Sequence, residues 1–143
     1  MVTFKEIYEQ LEEAAPVSQG DPSGFKVKAS ELFSRCRAAS TAMHFFHLIT
    51  PSYASHMASQ QFYEEIIPLV DSFAESFIGR YGKFETFPNV RENATDVLTI
   101  VGNLTKWIDS NREMISDLSE IQNSIDEILS LCNSTAYKLR ELK

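Results

Sequence analysis

A chain of 143 residues with a formal charge of −7 and a pI near 4.9 has the size of one domain with its own core. Its 43% hydrophobic and 23% charged content is that of a globular protein rather than a disordered one, and no apolar run approaches the roughly 20 residues of a membrane span. The acidic balance argues against DNA and anionic lipid as partners, because long-range repulsion opposes both.

In chain order, the first predicted element is a short amphipathic helix over residues 3–14. It is acidic and lacks the basic start and apolar block of a secretory leader, so a cytoplasmic location is expected. A loop follows, marked by Pro16, Gly20, Asp21, Pro22 and Gly24. Beyond it, apolar residues recur in steps of mostly three and four. Helix A is predicted over about 25–48, with Phe25, Val27, Leu32, Phe33, Cys36, Ala39, Met43 and Phe46 on its apolar face. Helix B, about 52–78, carries Tyr53, Met57, Phe62, Ile66, Leu69, Val70, Phe73 and Phe77. Helix C is placed at about 91–108, with Val97, Leu98, Val101, Leu104 and Trp107. Helix D, about 112–141, has Ile115, Leu118, Ile121, Ile125, Ile128, Leu129, Cys132 and Leu139. No segment alternates like a strand between hairpin turns, so the expected fold is a single all-α domain: residues 1–24 as an N-terminal helix and loop, 25–143 as a four-helix bundle.

Loop lengths constrain the topology. The short break at Thr50-Pro51-Ser52 makes helices A and B antiparallel neighbours, and the break at Asp109-Ser110-Asn111 does the same for C and D. The B to C segment, starting at Gly79 and running past Pro88, is long enough to cross the bundle. Its roughly 12 residues span about 40 Å when extended, matching a helix of about 27 residues. Such a crossover makes B and C parallel; an up-down-up-down bundle is the alternative. Cys36 and Cys132 have no zinc or redox spacing and are expected to be buried free thiols. The Asn-x-Ser/Thr triplets at Asn93, Asn103 and Asn133 are chance matches in a chain without a secretion signal.

Chemistry-bearing residues gather in helices A and B. All three histidines, His44, His47 and His56, fall within thirteen residues around the A/B turn, and imidazole is the commonest side-chain ligand for transition metals. Asp71 and Glu75 are four apart on helix B, which sets both carboxylates on one face; their neighbours Val70, Phe73, Ala74 and Phe77 predict that this stretch is largely buried. His56 and Asp71, fifteen residues apart on one helix, are separated by roughly 22 Å. They cannot share a metal within one chain. A shared metal would require two antiparallel subunits around a two-fold axis. No Glu-x-x-His occurs and helices C and D contain no histidine, which argues against a di-iron centre inside the bundle.

The stretch from His44-Phe45-Phe46-His47 through Thr50-Pro51-Ser52-Tyr53 to His56, and on through Tyr63 to Asp71-Ser72-Phe73-Ala74-Glu75, resembles the signature of the Dps mini-ferritins. The intervals of twelve, fifteen and four between His44, His56, Asp71 and Glu75 are those of that family. The resemblance covers about residues 40–79. It implies a ferritin-like four-helix bundle, with His44 and His56 from one subunit and Asp71 and Glu75 from its mate as metal ligands and catalytic residues. It further implies ferroxidase activity toward iron(II) with peroxide or oxygen, and iron storage in a homo-oligomer, a two-fold dimer or a cage. Zinc and manganese suit the same mixed ligands, and His47, one turn from His44, is an accessory candidate. The chain departs from the family pattern in four places. Phe45 stands where Trp is usual, Pro68 interrupts helix B and is expected to kink it, the half after Glu75 is short, and an acidic Glu6–Glu13 region replaces a basic DNA-binding tail. The alternative is a bundle with a degenerate site serving as a non-enzymatic interaction protein.

Overall fold

A computed structural model describes residues 1–7 and 22–143. Four long helices carry the fold: α1 Pro22–Ile49, α2 Tyr53–Tyr81, α3 Val97–Asn111 and α4 Ser119–Glu141, with a 3-10 turn at Arg112–Met114. Among the described residues there is no strand, and no helix is long and apolar enough to cross a membrane. Of the predicted N-terminal helix over 3–14, residues 4–7 are helical and Thr3 precedes them, accepting from the Glu6 amide at 3.2 Å; residues 8–14, and Pro16, Gly20 and Asp21 of the predicted loop, lie outside the described residues.

Local chemistry sets the helix ends. Pro22 occupies the first position of α1, where its missing N–H costs nothing. Ser52 caps α2 by accepting from the Ser55 amide at 3.2 Å, and Asp96 caps α3 by accepting from the Thr99 amide at 3.0 Å. That cap explains why α3 starts at Val97, six residues later than the periodicity predicts: residues 91–95 belong to the connection. Gly82, at φ +90°, ends α2 and donates its N–H to the Ile78 carbonyl at 2.8 Å. The predicted start of helix D at 112 is corrected as well. Arg112 and Gln122 bond each other across the connection, Nε to Oε1 at 2.9 Å, and the Gln122 amide donates to the carbonyls of Arg112 and Ser116 at 2.8 and 2.6 Å. This polar knot holds residues 112–118 in a bend, and α4 begins only at Ser119. Pro68 does not break α2, which is helical on both sides of it. It lies on the exposed face, where water can satisfy the carbonyl it leaves unbonded.

Contacts between helix ends give the topology. Phe25 packs edge-on against Tyr81, so α1 and α2 are antiparallel. Lys28 donates to the Asn111 side chain at 3.0 Å, which sets α3 antiparallel to α1. Arg80 pairs with Glu120 at 2.9 Å, Tyr81 shares a hydrogen bond with Ser116, and Lys138 reaches Gln61; α4 is therefore antiparallel to α2. The helices stand in a square in which α1 and α4 each touch both α2 and α3. Accordingly α2 and α3 run in the same direction, joined by a crossover. It leaves α2 with Phe84 on Phe77 and then follows α1, with Phe87 on Phe33 and residues 90–95 beside Ala38–Ile49.

Phe62, Phe73, Phe77, Met43, Ile108 and Ile125 are among the fully buried core side chains. Four positions predicted to face the core do not. Val27, Tyr53, Met57 and Leu98 are exposed: Val27 and Leu98 point away from the buried Phe25 and Val97 beside them, and Tyr53 and Met57 lie on the outer face of α2, opposite the buried Phe62 and Ile66. Truncating Phe73 to Ala should cost about 3–5 kcal/mol, read as a lower urea midpoint at unchanged slope. Cys36 and Cys132 are buried free thiols, as expected. Burial, with Cys132 nearby, pushes the Cys36 thiol well up, and burial pushes Cys132 up to about 12. Unfolded thiols ionise near 9, so their contribution to stability is complete below that pH and is lost as pH rises toward 12. Titration with an aromatic disulfide should find no fast thiol in the native protein and two in denaturant, and Cys132→Ala should flatten the alkaline decline in unfolding free energy.

Candidate metal centre

The turn between α1 and α2 brings the three histidines and Tyr63 into one cluster. His47, near the end of α1, is buried; His56, near the start of α2, is half-buried; His44 is exposed. The His47 Nδ1 lies 2.8 Å from the His56 carbonyl, and the His56 Nδ1 lies 2.8 Å from the His47 carbonyl. Carbonyls only accept, so both rings carry hydrogen on Nδ1, and Nε2 is the nitrogen each retains for a ligand. The rings stack at 3.6 Å. The single Ser59 hydroxyl hydrogen is shared between the carbonyls of Ser55 at 2.7 Å and His56 at 3.1 Å. Next in the cluster, Tyr63 meets His47 edge-on at 5.3 Å and stacks on His44 at 4.2 Å. Fixing an imidazole through Nδ1 to a backbone carbonyl is how proteins commonly orient histidine ligands. Here the reciprocal pair also bolts the two helices together.

The predicted site residues are distributed as the helical spacing requires. His44 and His56 sit at the same end of the hairpin, but the ring stacked on His56 is that of His47, while His44 stacks on Tyr63. Asp71 and Glu75 are exposed. The expectation that their stretch is buried is corrected: Val70, Phe73, Ala74 and Phe77 face the core, while the two carboxylates lie on the opposite stripe. That outer stripe reads Tyr53, Met57, Glu64, Pro68, Asp71, Glu75 at helical spacing. His56 and Asp71 lie on one unbroken helix, roughly 22 Å apart by its rise. Among the described residues no group of three or more His, Cys, Asp or Glu converges within the chain to hold a metal ion.

Residues 47–139 match the model of a family of unknown function, DUF5856. The chain belongs to the DUF5856 family. A relative within reach of sequence comparison is the uncharacterized 14.6 kDa protein in the mobD-ri intergenic region of Enterobacteria phage T4. It is 28% identical over 120 residues, covering 82% of this chain and 91% of the relative. No solved structure matches. The DUF5856 match takes in His47, His56, Asp71 and Glu75, all of α2, the crossover, and α3 and most of α4; His44 lies before it.

The sequence marks His47 only as an accessory candidate beside His44, although a signal for its pairing with His56 existed: 47 and 56 are equidistant from the Pro51–Ser52 peptide bond, as are Ser40 and Tyr63, whose Oγ to carbonyl bond is 3.3 Å. His47→Phe in this DUF5856 protein should keep the stacking but remove one bond and cost about 1 kcal/mol. His47→Ala should also open a cavity and cost roughly 2–4 kcal/mol. Urea unfolding of both variants checks the order.

Proposed function

We propose that this DUF5856 protein is a Dps-like mini-ferritin, a ferritin-like bundle whose subunits bind ferrous iron between them through His44 and His56 of one chain and Asp71 and Glu75 of its mate. The observation that carries the reading is the arrangement of donors on the α1–α2 hairpin. At one end His56 is oriented through its Nδ1 hydrogen with the exposed His44 beside the same cluster, and two solvent-facing carboxylates lie roughly 22 Å along α2. Each half is too sparse to hold a metal alone. An antiparallel pairing of two α2 stripes about a two-fold axis brings each half to the complement it lacks. The crossover that makes α2 and α3 parallel supports a ferritin-like reading of the bundle, since a long connection of this kind is that fold's distinguishing link.

In this reading iron(II) is the substrate, and peroxide or oxygen takes up the electrons as iron(III) forms. The protein's part is to bind and place the ions. His44 and His56 supply neutral nitrogen ligands, Asp71 and Glu75 offset the positive charge, and His47 fixes the orientation of the His56 ring. Mixed nitrogen and oxygen donors also suit zinc and manganese. A second reading, a non-enzymatic interaction protein on the same bundle, is favoured by one observation: large apolar side chains are exposed around the α1–α2 turn.

Anaerobic iron(II) titration followed by peroxide tests the site. Saturable binding and fast oxidation are expected for the wild type, with loss of both in His56→Ala and in Asp71→Ala. Mixing the two variants should restore about one site in four, because only mixed dimers contain one intact site. Binding that survives in both variants, or that mixing fails to restore, would refute a site shared between subunits.

A further inference from the structure

Sequence and structure together single out the α1–α2 hairpin tip for a second reason. No Asp or Glu occurs from residue 32 to residue 63; all twenty acidic residues lie outside that span. At its centre, around the Thr50–Ser52 turn, five large apolar side chains are uncovered: Phe45 66%, Leu48 70%, Ile49 77%, Tyr53 77% and Met57 43% exposed. Together they present on the order of 600 Å² of apolar surface, at the upper end of what a monomer ordinarily leaves bare. Beside them, on the α1 side, is a groove of about 560 Å³. It runs between α1 and the end of the crossover; its α1 wall is mainly apolar, with Ala38, Ala42, Phe46 and Ile49, and its crossover wall carries Arg91 and Glu92 beside Val90 and Ala94. The small side chains of Ala38 and Ala42 leave it open.

We infer that this tip is a self-association surface, in which the Leu48 and Ile49 end of each copy seats in the groove of the other about a two-fold axis. Projecting apolar side chains next to a recess with an apolar α1 wall make the face complementary to itself, which is what an isologous contact requires. The uncovered area approaches the roughly 800 Å² per partner of a standard interface. Charge favours a second copy meeting at this end. Two chains at −7 repel each other, and contact through the hairpin tips, where Glu92 is the one carboxylate lining the groove and Arg91 lines it too, keeps most carboxylates of the two bodies far apart. The contact goes beyond the α2 pairing proposed for the metal site: it centres on Leu48, Ile49 and the α1 groove, shares only Tyr53 and Met57 with the α2 stripe, and needs neither Asp71 nor Glu75.

Light scattering and sedimentation in the presence of a chelator, with circular dichroism to verify folding, decide the matter. Wild type, and Asp71→Ala with Glu75→Ala, should self-associate, more tightly at higher salt because screening removes the repulsion. Leu48→Asp and Ile49→Asp should each raise the dissociation constant at least about tenfold, a difference of about 1.4 kcal/mol. Val27→Asp, which alters an exposed apolar residue at the far end of α1, should not. A monomeric wild type at every concentration and salt, or association unchanged in Leu48→Asp, would overturn the inference. It would also be overturned if the wild type stayed monomeric but sedimented with phosphatidylcholine vesicles and Leu48→Asp did not, an outcome that makes lipid the occupant of the tip.

Discussion

A three-residue turn between two helices of 28 and 29 residues is the constraint on which the remainder of the structure rests. It leaves α1 and α2 antiparallel and in contact along their length, and it fixes their register. His47 faces His56 and Ser40 faces the Tyr63 backbone because both pairs are centred on the Pro51–Ser52 peptide bond. Everything else docks on the frame so made: the crossover lies along α1, α3 covers one side of α1, and α4 fills the groove beside α2. A slip of one residue at the turn would rotate α2 by about 100°, moving Phe62, Ile66 and Phe73 out of the core and breaking both imidazole bonds at once.

The far end of the bundle is held by different chemistry. Tyr81, Ser116, Arg112, Gln122 and Asp126 are linked by hydrogen bonds, with Arg112 also paired to Asp126 at 2.6 Å. Near them Trp107 lies beneath both Lys28 and Arg35, at 5.9 and 5.0 Å, which ties α1 to α3 through cation–π contacts. Three chain segments thus meet in a polar network at one end, and a compact imidazole and serine cluster closes the other. Between the two, the core is apolar and includes two inert thiols.

The helices were legible because their signals are local and strong: apolar spacing in α1, α2 and α4, and proline and glycine at the breaks; the length of the B to C connection allowed the crossover but left an up-down-up-down bundle as the alternative. The starts of α3 and α4 were not. Arg91–Thr95 and Arg112–Leu118 contain no helix breaker, and what excludes them is the Asp96 cap and the Arg112–Gln122 bonds, side-chain interactions that periodicity does not register. Exposure at the hairpin was misread for a related reason. Tyr53 and Met57 fall at helical spacing with true core residues, but that spacing does not show whether a neighbouring helix reaches far enough to cover them. Among the candidate ligands, the separation of His56 from Asp71 followed directly from helical rise. The stacking of His56 on His47 rather than on His44 depended on the register of the hairpin, which single-helix patterns leave open.

The parallel course of α2 and α3 bears on how the chain reaches its native state. Contacts between α1 and α2 close a loop of only three residues, whereas α3 returns to α1 only after residues 82–96 have been laid along it, and α4 meets α2 across a separation such as the 77 residues between Gln61 and Lys138. Loop-closure entropy rises with separation, so the hairpin has the lowest entropic barrier and serves as the surface on which the later segments condense. During synthesis the N-terminal hairpin emerges first, with one apolar side still waiting for α3 and α4. The reciprocal imidazole bonds need no residue beyond 59, so they can hold its register before the second half of the chain exists.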